Sequence, residues 1–231
     1  MTKQRATREQ VMDLIRQLGV GTAIPSERQL SADLGVSRLT LRAALDELAH
    51  EGYLVRRQGS GTYVQRPKIS QQLTMTSFSE DMRRRGMVPS TRTLALERQL
   101  AGARLGRFLN VSPGEEIVVA RRLRLADGDS MAIETLHILA SIVPGLNPHD
   151  LDGSFYELLS GRYGIEILTG TQIVEATVTN EEESAALDLP LHSPAFLFKR
   201  TSCDAEGRTV EFVHSVYRGD RYQIVSELTS S

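Results

Sequence analysis

Through the first 52 residues, apolar positions recur every three or four residues, the period of a helix with one buried face. "REQVMDLIRQL" sets Val11, Leu14, Ile15 and Leu18 along one side, and Gly19 and Gly21 end the run. "IPSERQLSADLG" opens with Ser26 and Gln29 at capping-box spacing and places Leu30 and Leu34 together before Gly35 stops it. Ser37 is positioned to cap a third helix whose buried stripe is Leu41, Ala44, Leu45 and Leu48. After Gly52 the period falls to two: "YLVRR", a "QGSG" turn and "TYVQR" predict a short β-hairpin. Two short helices joined by a glycine turn and followed by a hairpin predict a winged helix-turn-helix over residues 1–66.

"PKISQQLTMT" (67–76) is polar, starts on proline and has no period, so it reads as a linker. From residue 77 onward strands dominate. "EEIVVARRLRL" and "SMAIETLHIL" flank the hairpin signal "ADGD". "SFYELLSGRY" and "EEESAALDL" read as helices, "IEILTGTQIVEATVT" as one or two strands, and "AFLFKRTSCD" with "RTVEFVHSVYRG" as a second long hairpin. Antiparallel hairpins with packed helices make residues 77–231 an α+β domain.

The bulk numbers fit an ordinary globular chain: 231 residues, 40% hydrophobic, 24% charged and no tryptophan. No apolar run approaches membrane-spanning length, and "MTKQRATREQ" lacks the shape of a signal peptide. The one cysteine, Cys203, has no intramolecular disulfide partner. Together these lead us to expect a cytoplasmic protein with no membrane role. The net charge of -2 hides an asymmetry: residues 1–66 carry 10 Lys+Arg against 7 Asp+Glu, and the remainder carries 17 against 22. A basic N-terminal segment on an acidic remainder points to a polyanionic partner for the first.

That partner explains residues the third helix could fold without. Arg38 and Arg42 lie one turn apart beside the apolar stripe, where each can grip guanine bidentately or pair with a phosphate. Ser37 and Thr40 offer short hydroxyls to the DNA backbone, and Leu39 and Ala43, with no core to fill, are placed to touch thymine methyls. In the wing, Gly59 and Gly61 let the chain approach a sugar-phosphate rail or a minor groove, with Arg56, Arg57 and Gln58 supplying charge and reach. Singly, a pair of arginines is a solvated helix face and a glycine hairpin is a turn; in this order and spacing they indicate duplex DNA.

The second domain carries the chemistry of an anion site. "TSFSEDM" sets Thr76, Ser77 and Ser79 where a helix begins, so hydroxyls and free N–H groups can converge on a phosphate. Arg122 and Arg124 share one face of an otherwise apolar strand. Ser154 offers another helix N-terminus, although Ser154 and Glu157 also fit a capping box that needs no ligand. Glu134 and Glu211 interrupt hydrophobic strands, and lone carboxylates there have partners. Alternation places Glu211, Val213, Ser215 and Tyr217 on one face and Val210, Phe212 and Val216 on the other, expected to be the core. A three-residue loop at 127–129 would put Glu134 opposite Arg122, either as part of a ligand site or as a plain ion pair; a two-residue Asp-Gly loop would move it to the other face.

A catalytic reading is possible on paper, with Glu134 and Glu211 as an acid/base pair or Cys203 with His214 as nucleophile and base. The five histidines, however, show no metal-ligand spacing, and a phosphate clamp without a clear base binds rather than turns over. The expectation is a non-enzyme with no metal and no cofactor.

Here the sequence also resembles a known family. "IPSERQLSADLGVSRLTLRAALDELAHEGYLVRRQGSGTYV" is similar to the winged helix-turn-helix of the GntR family of bacterial transcription regulators. The resemblance implies DNA contact at Arg28, Arg38, Thr40, Arg42 and Gly61. With the residues above, the candidate DNA-binding set becomes Arg28, Ser37, Arg38, Thr40, Arg42, Gln58, Gly59, Gly61 and Thr62. Leu39 stands where threonine is commoner in the family. "TSFSEDMRRRG", "RRLRLADGDSMAIET" and "EFVHSVYRGDRY" resemble the UTRA effector domain of the HutC subgroup, a chorismate-lyase-like fold. They look closest to the amino-sugar regulators of the NagR and DasR type, and Ser130 replaces a proline common in the family. This resemblance implies effector contact at Ser79, Arg122, Arg124, Glu134, Ser154, Tyr156, Glu211 and Tyr217, to which "TSFSEDM" adds Ser77 and Phe78. It further implies a homodimer that dimerises through this domain, a pseudo-palindromic DNA operator, repression, and relief by a small phosphorylated effector, an amino-sugar 6-phosphate first of all. Effector binding is expected to order "TSFSEDM" beside the linker.

Overall fold

A computed structural model describes residues 3–226, with Gln72 described by its backbone alone. The chain divides into two compact units between Ile69 and Ser70.

In the first unit three helices, α1 (Lys3–Gln17), α2 (Glu27–Asp33) and α3 (Arg38–His50), precede the hairpin of β1 (Leu54–Arg57) and β2 (Gly61–Val64). Their apolar stripes meet in a core of Val11, Ile15, Ile24, Leu30, Leu41, Leu45, Leu48, Leu54 and Val64, with Leu14 and Leu18 packed at its edge. Ala44 is buried as well, so the whole predicted stripe of α3 faces inward. Ser26 caps α2 by accepting from Gln29 N at 3.3 Å, but the Gln29 amide goes to Asp33 Oδ1 at 2.7 Å, leaving half a capping box. The hairpin is fastened by residues before α2. Gly21 N donates to Val64 O, Val64 N to Thr22 O and Ile24 N to Thr62 O, all at 2.9 Å.

The second unit takes all but the first residue of β3 (Ile69–Gln72) and contains α4 (Phe78–Arg84), β4 (Pro89–Leu100), α5 (Gly102–Leu109), β5 (Glu116–Ala126), β6 (Asp129–Leu139), α6 (Phe155–Tyr163), β7 (Thr169–Val178), α7 (Glu181–Leu187), β8 (Pro194–Cys203), β9 (Thr209–Arg218) and β10 (Tyr222–Val225). Six strands form one antiparallel sheet in the order β4-β5-β6-β9-β8-β7. Within the stretch read as a linker, β3 lies beside β10, and Gln223 Nε2 donates to Ser70 Oγ at 2.8 Å. That pairing joins residues some 150 positions apart in the chain, so no local pattern announces it.

Helices cover both faces of the sheet. On one, Phe155 and Leu159 of α6 and the preceding Leu151 pack on Val118, Ala120, Leu136, Ile138 and Val213. On the other, Leu109 of α5 meets Ile117 and Phe212, and Leu187 of α7 meets Leu123 and Ile133. The expectation of a single core face on β9 is thus corrected: Val213 lies in the larger core, Phe212 in the opposite one, and Val210 joins Val213 at a register shift between Ser202 and Cys203. Central strands buried on both sides show near-continuous apolar runs in place of alternation.

The β5–β6 hairpin resolves the register of Glu134 in a way neither loop length foresaw. Its loop is the two-residue Asp127-Gly128, both with positive φ (51° and 84°). Pairing begins as Ala126↔Asp129 and Leu125↔Ser130, then shifts so that Arg124 faces Ala132 and Arg122 faces Glu134. Met131 is the extra residue, a β-bulge that restores the longer-loop register after a tight turn.

Candidate nucleic-acid interface and effector pocket

The N-terminal turn of α3 presents an exposed Arg38, a Leu39 that is 81% exposed and an exposed Arg42. Ser37 Oγ accepts from Thr40 N at 3.1 Å and lies 2.8 Å from Thr40 Oγ1, so both hydroxyls are engaged in capping the helix. Arg42 is anchored to α2: its Nη2 and Nε donate to Glu27 Oε2 at 2.7 and 3.2 Å, which raises its pKa further. Arg28 and Arg38 make no ion pair among the described residues, leaving two exposed guanidinium groups on the surfaces of α2 and α3. In the wing, Arg57 stacks over the Tyr63 ring 4.5 Å from its centroid, Arg56 pairs with Asp46, and Gln58 is exposed at the tip. Gly59 and Gly61 take φ of 73° and 117°, conformations that a side chain would strain. Thr62 follows in β2, half-buried, with its carbonyl tied to Ile24.

The second site lies on the sheet face covered by α4 and α6. Four adjacent rungs of the sheet bring Arg124 with Tyr217, Arg122 with Glu134 and Ser215, Val213 with Arg200, and Glu211 with Ser202 to that face. Above them, Ser77 caps α4 by accepting from Glu80 N at 3.1 Å, and Ser154 caps α6 by accepting from Glu157 N at 3.4 Å. Ser154 Oγ also lies 3.4 Å from Ser77 Oγ, while the Glu157 carboxylate goes to Arg83 in place of closing a capping box.

The polar groups form an interlocked cluster. Arg122 Nε donates to Glu134 Oε1 at 2.9 Å, and its Nη2 reaches the same oxygen. Arg124 Nη2 donates to Ser79 Oγ at 2.9 Å, with Nη1 4.0 Å from Glu134. Glu211 Oε1 accepts from the Tyr156 hydroxyl at 2.8 Å and from Ser202 Oγ at 2.9 Å. Aromatic rings sit under the cations: Phe78 at 4.8 Å from Arg124, Phe155 at 5.6 Å from Arg122 and Tyr156 at 5.7 Å from Arg200.

Two connected chambers open here. One, with a cavity volume of about 30 Å³, is bordered by Gln71, Thr76, Gln172, Ser215 and Tyr217; the other, of about 20 Å³, is bordered by Arg122, Arg124, Tyr156 and Glu211. Ser77, Phe78, Glu134 and Arg200 line both, whereas Ser79 and Ser154 stand behind the walls and hold Arg124 and Ser77. Arg200 and Ser202 went unread in the sequence. Their signal was the alternation of "FLFKRTSCD", which becomes usable only once β8 is known to lie beside β9.

The charges do not balance. Burial lowers the Arg124 pKa to about 10, helped by its neighbour Arg122 and opposed by Glu134. Burial alone would raise Glu134, but Arg122 and Arg124 outweigh it and hold this carboxylate low. Burial wins at Glu211, whose pKa is raised despite Arg200 and the Tyr156 hydroxyl, and it pushes Tyr217 up to about 12. Three guanidinium groups therefore face Glu134 and Glu211, of which Glu211 resists ionising, while the third carboxylate on the lining, Asp81, is taken by Arg85. Arg122 Nη1, Arg124 Nε and Arg200 Nε are buried without a partner. Buried polar groups are almost always satisfied, so three unsatisfied donors gathered in one lining make it chemically suited to an anion. Of the two catalytic pairs considered, Cys203 and His214 are not assembled: Cys203 lies opposite Thr209 and His214 opposite Lys199 on the far face of the sheet. Glu134 and Glu211 share a pocket but are engaged by Arg122 and by the Tyr156 hydroxyl.

Comparison with known proteins agrees with both halves. The family described as bacterial regulatory proteins, gntR family, matches residues 3–64, and the UTRA domain matches residues 84–223. The HTH-type transcriptional repressor NagR of Bacillus subtilis is 37% identical over 203 residues, covering 87% of this chain and 84% of that one. The HTH-type transcriptional repressor PhnF of Mycolicibacterium smegmatis is 30% identical over 220 residues, covering 95% and 89%. The crystal structure of PhnF from Mycobacterium smegmatis superposes with a TM-score of 0.79 at 28% identity, covering 97% of this chain and 100% of that one. No helix among the described residues is long and apolar enough to cross a membrane. The chain belongs to the gntR family of bacterial regulatory proteins, in the HutC-type branch that carries a UTRA domain: it is a DNA-binding transcription regulator and not an enzyme.

Proposed function

We propose that this regulator is a cytoplasmic repressor that acts as a homodimer on a pseudo-palindromic operator, with half-sites about one helical turn apart. Residues 1–66 read the duplex, Arg28, Arg38 and Arg42 with Ser37, Thr40 and the wing residues Gln58, Gly59, Gly61 and Thr62 forming the contact surface. Residues 67–76 connect it to an effector and dimerisation domain at 77–231. The effector is a small phosphorylated metabolite, an amino-sugar 6-phosphate in the first instance. It is held by Ser77, Phe78, Arg122, Arg124, Glu134, Tyr156, Glu211 and Tyr217, with Ser79 and Ser154 bracing Arg124 and Ser77 from behind, and its binding orders the segment that begins α4. The observation that carries this reading is the set of three buried, unpartnered guanidinium nitrogens around one cavity. The carboxylates and hydroxyls beside them supply acceptors and donors for a sugar, and NagR, 37% identical, supports repression.

The test is a thermal-shift panel of glucosamine 6-phosphate, N-acetylglucosamine 6-phosphate, trehalose 6-phosphate, urocanate and alkylphosphonates, with unphosphorylated glucosamine and N-acetylglucosamine as controls. Any hit is then added to a gel-shift titration on inverted-repeat duplexes. The expected hits are the phosphorylated amino sugars, which should also release the duplex. A response to urocanate or a phosphonate alone would keep the clamp and change the effector. A response to the neutral sugars would overturn the anion reading.

A further inference from the structure

Arg200 does something that no other cation of the pocket does. While its Nε is buried and unpartnered in the chamber walls, its Nη1 donates to the backbone carbonyl of Thr76 at 3.3 Å. Thr76 immediately precedes Ser77, the cap of α4, in the strap that runs from β3 (Ile69–Gln72) to α4 (Phe78–Arg84). The strap is lightly held: Leu73 is 54% exposed, Thr74 is exposed, and the Thr76 N–H bonds only two residues back, to Thr74 O at 2.9 Å. Besides Arg200, Met75 seats on Gly170, where an added Cβ would lie 3.1 Å from the Met75 sulfur.

A guanidinium has two edges. With Nη1 spent on Thr76, the edge carrying Nε can accept an anion, and a charge-assisted bidentate bond there fixes the whole planar group. We infer that Arg200 bridges the effector to the strap, so that an anion captured on its Nε edge pins the Thr76 carbonyl and tightens the segment leading into α4. Resting on the anion-effector reading above, this assigns to Arg200 a positioning role distinct from the clamp of Arg122 and Arg124. Arg200 sits on β8, away from both of those residues in the chain, and among the described residues it is the pocket arginine bonded to main chain of the strap.

The experiment is hydrogen–deuterium exchange of the full-length protein, read on peptides spanning residues 73–78, with and without saturating glucosamine 6-phosphate. In the wild type the ligand should slow exchange of this peptide. Arg200→Gln should exchange there about tenfold faster without ligand, the factor expected for losing one hydrogen bond from a charged donor. It should still bind glucosamine 6-phosphate through Arg122 and Arg124, more weakly, yet show no ligand-induced slowing of the strap. Arg200→Lys, which can reach one acceptor but not two, should restore the ligand-free rate and not the ligand response. Peptides from β5 and β6 serve as the folding control and should be unchanged. Strap exchange equal to wild type in ligand-free Arg200→Gln would overturn the bridge, as would full ligand protection in that variant. If the wild type fails to bind glucosamine 6-phosphate, the effector reading falls, while the ligand-free comparison still decides whether Arg200 holds the strap.

Discussion

Replacing Arg124 by methionine should leave the ligand-free protein as stable as the wild type or more so, which is unusual for a residue 2% exposed in a hydrogen-bonded cluster. Its pKa falls from 12.5 to about 10. At about 1.4 kcal/mol per tenfold, that displacement is a penalty of roughly 3 kcal/mol for the buried cation. Against it stand one bond to Ser79 and the Phe78 ring, together about 2 kcal/mol, of which methionine keeps the contact with the ring. The balance is a gain on the order of 1 kcal/mol on substitution, where truncating one partner of a satisfied buried ion pair costs about 3–5 kcal/mol. For a unit of this size the gain corresponds to a rise of about 2–4 °C in Tm. Thermal melts of the full chain followed by circular dichroism supply the measurement. Because the lowered pKa lies near 10, the penalty is in full force at and below neutral pH and is relieved only as pH climbs from about 10 towards 12.5. The advantage of Arg124→Met should therefore be flat between about pH 6 and 9. A fall in Tm of 8 °C or more, about 3 kcal/mol on the same scale, would mean that the cluster is already satisfied without a ligand, and the anion argument would fail.

Glu211→Gln tests the neighbouring carboxyl by its pH dependence. Burial raises the Glu211 pKa, so the wild type has its full stability below about 4.5 and loses part of it as pH rises through the folded-state pKa. The melting-temperature difference, variant minus wild type, should therefore widen as pH increases from about 4.5, and a difference independent of pH would contradict the assignment. In the first unit, Ser37→Ala removes the cap of α3 and should cost about 1 kcal/mol in urea unfolding, with Thr40→Ala costing less because the Thr40 hydroxyl only braces Ser37. Equal losses would show that the cap is not what holds the helix start.

What could be read from the sequence follows from how local each determinant is. The first unit is nearly all helix period, caps and one hairpin, so Leu41, Ala44, Leu45 and Leu48 declared their burial and Ser37 its cap. In the sheet, both faces are covered, and "EIVVARRLRL" has apolar residues pointing both ways; only Arg122 and Arg124, two apart on one face, marked a site. The face of Glu134 depended on a bulge at Met131 that follows a two-residue turn, and turn residues alone do not reveal a bulge. Arg200 stayed hidden because its face depends on pairing with β9, and β3 because its partner β10 is far along the chain. Strands β4 and β10 and helix α5 went unassigned for related reasons: an edge strand with alternating but weakly apolar faces, a four-residue strand, and a helix begun at glycine without a side-chain cap. The expected boundaries at 66 and 76 meet a division between Ile69 and Ser70, with part of the intervening stretch drawn into β3. Residues 227–231 lie outside the described part of the structure.

The central claim is a division of labour between an exposed cationic helix face and a buried cationic pocket, and one measurement addresses it directly. Fluorescence anisotropy of an operator duplex is titrated with wild type, Arg42→Ala and the double variant Arg122→Ala/Arg124→Ala, each with and without a phosphorylated amino sugar. The account predicts that Arg42→Ala weakens duplex binding while its effector affinity, read by calorimetry, stays at the wild-type value. The double variant should hold the duplex normally and no longer release it when effector is added. Both variants failing in the same way, or the double variant releasing the duplex as the wild type does, would contradict it.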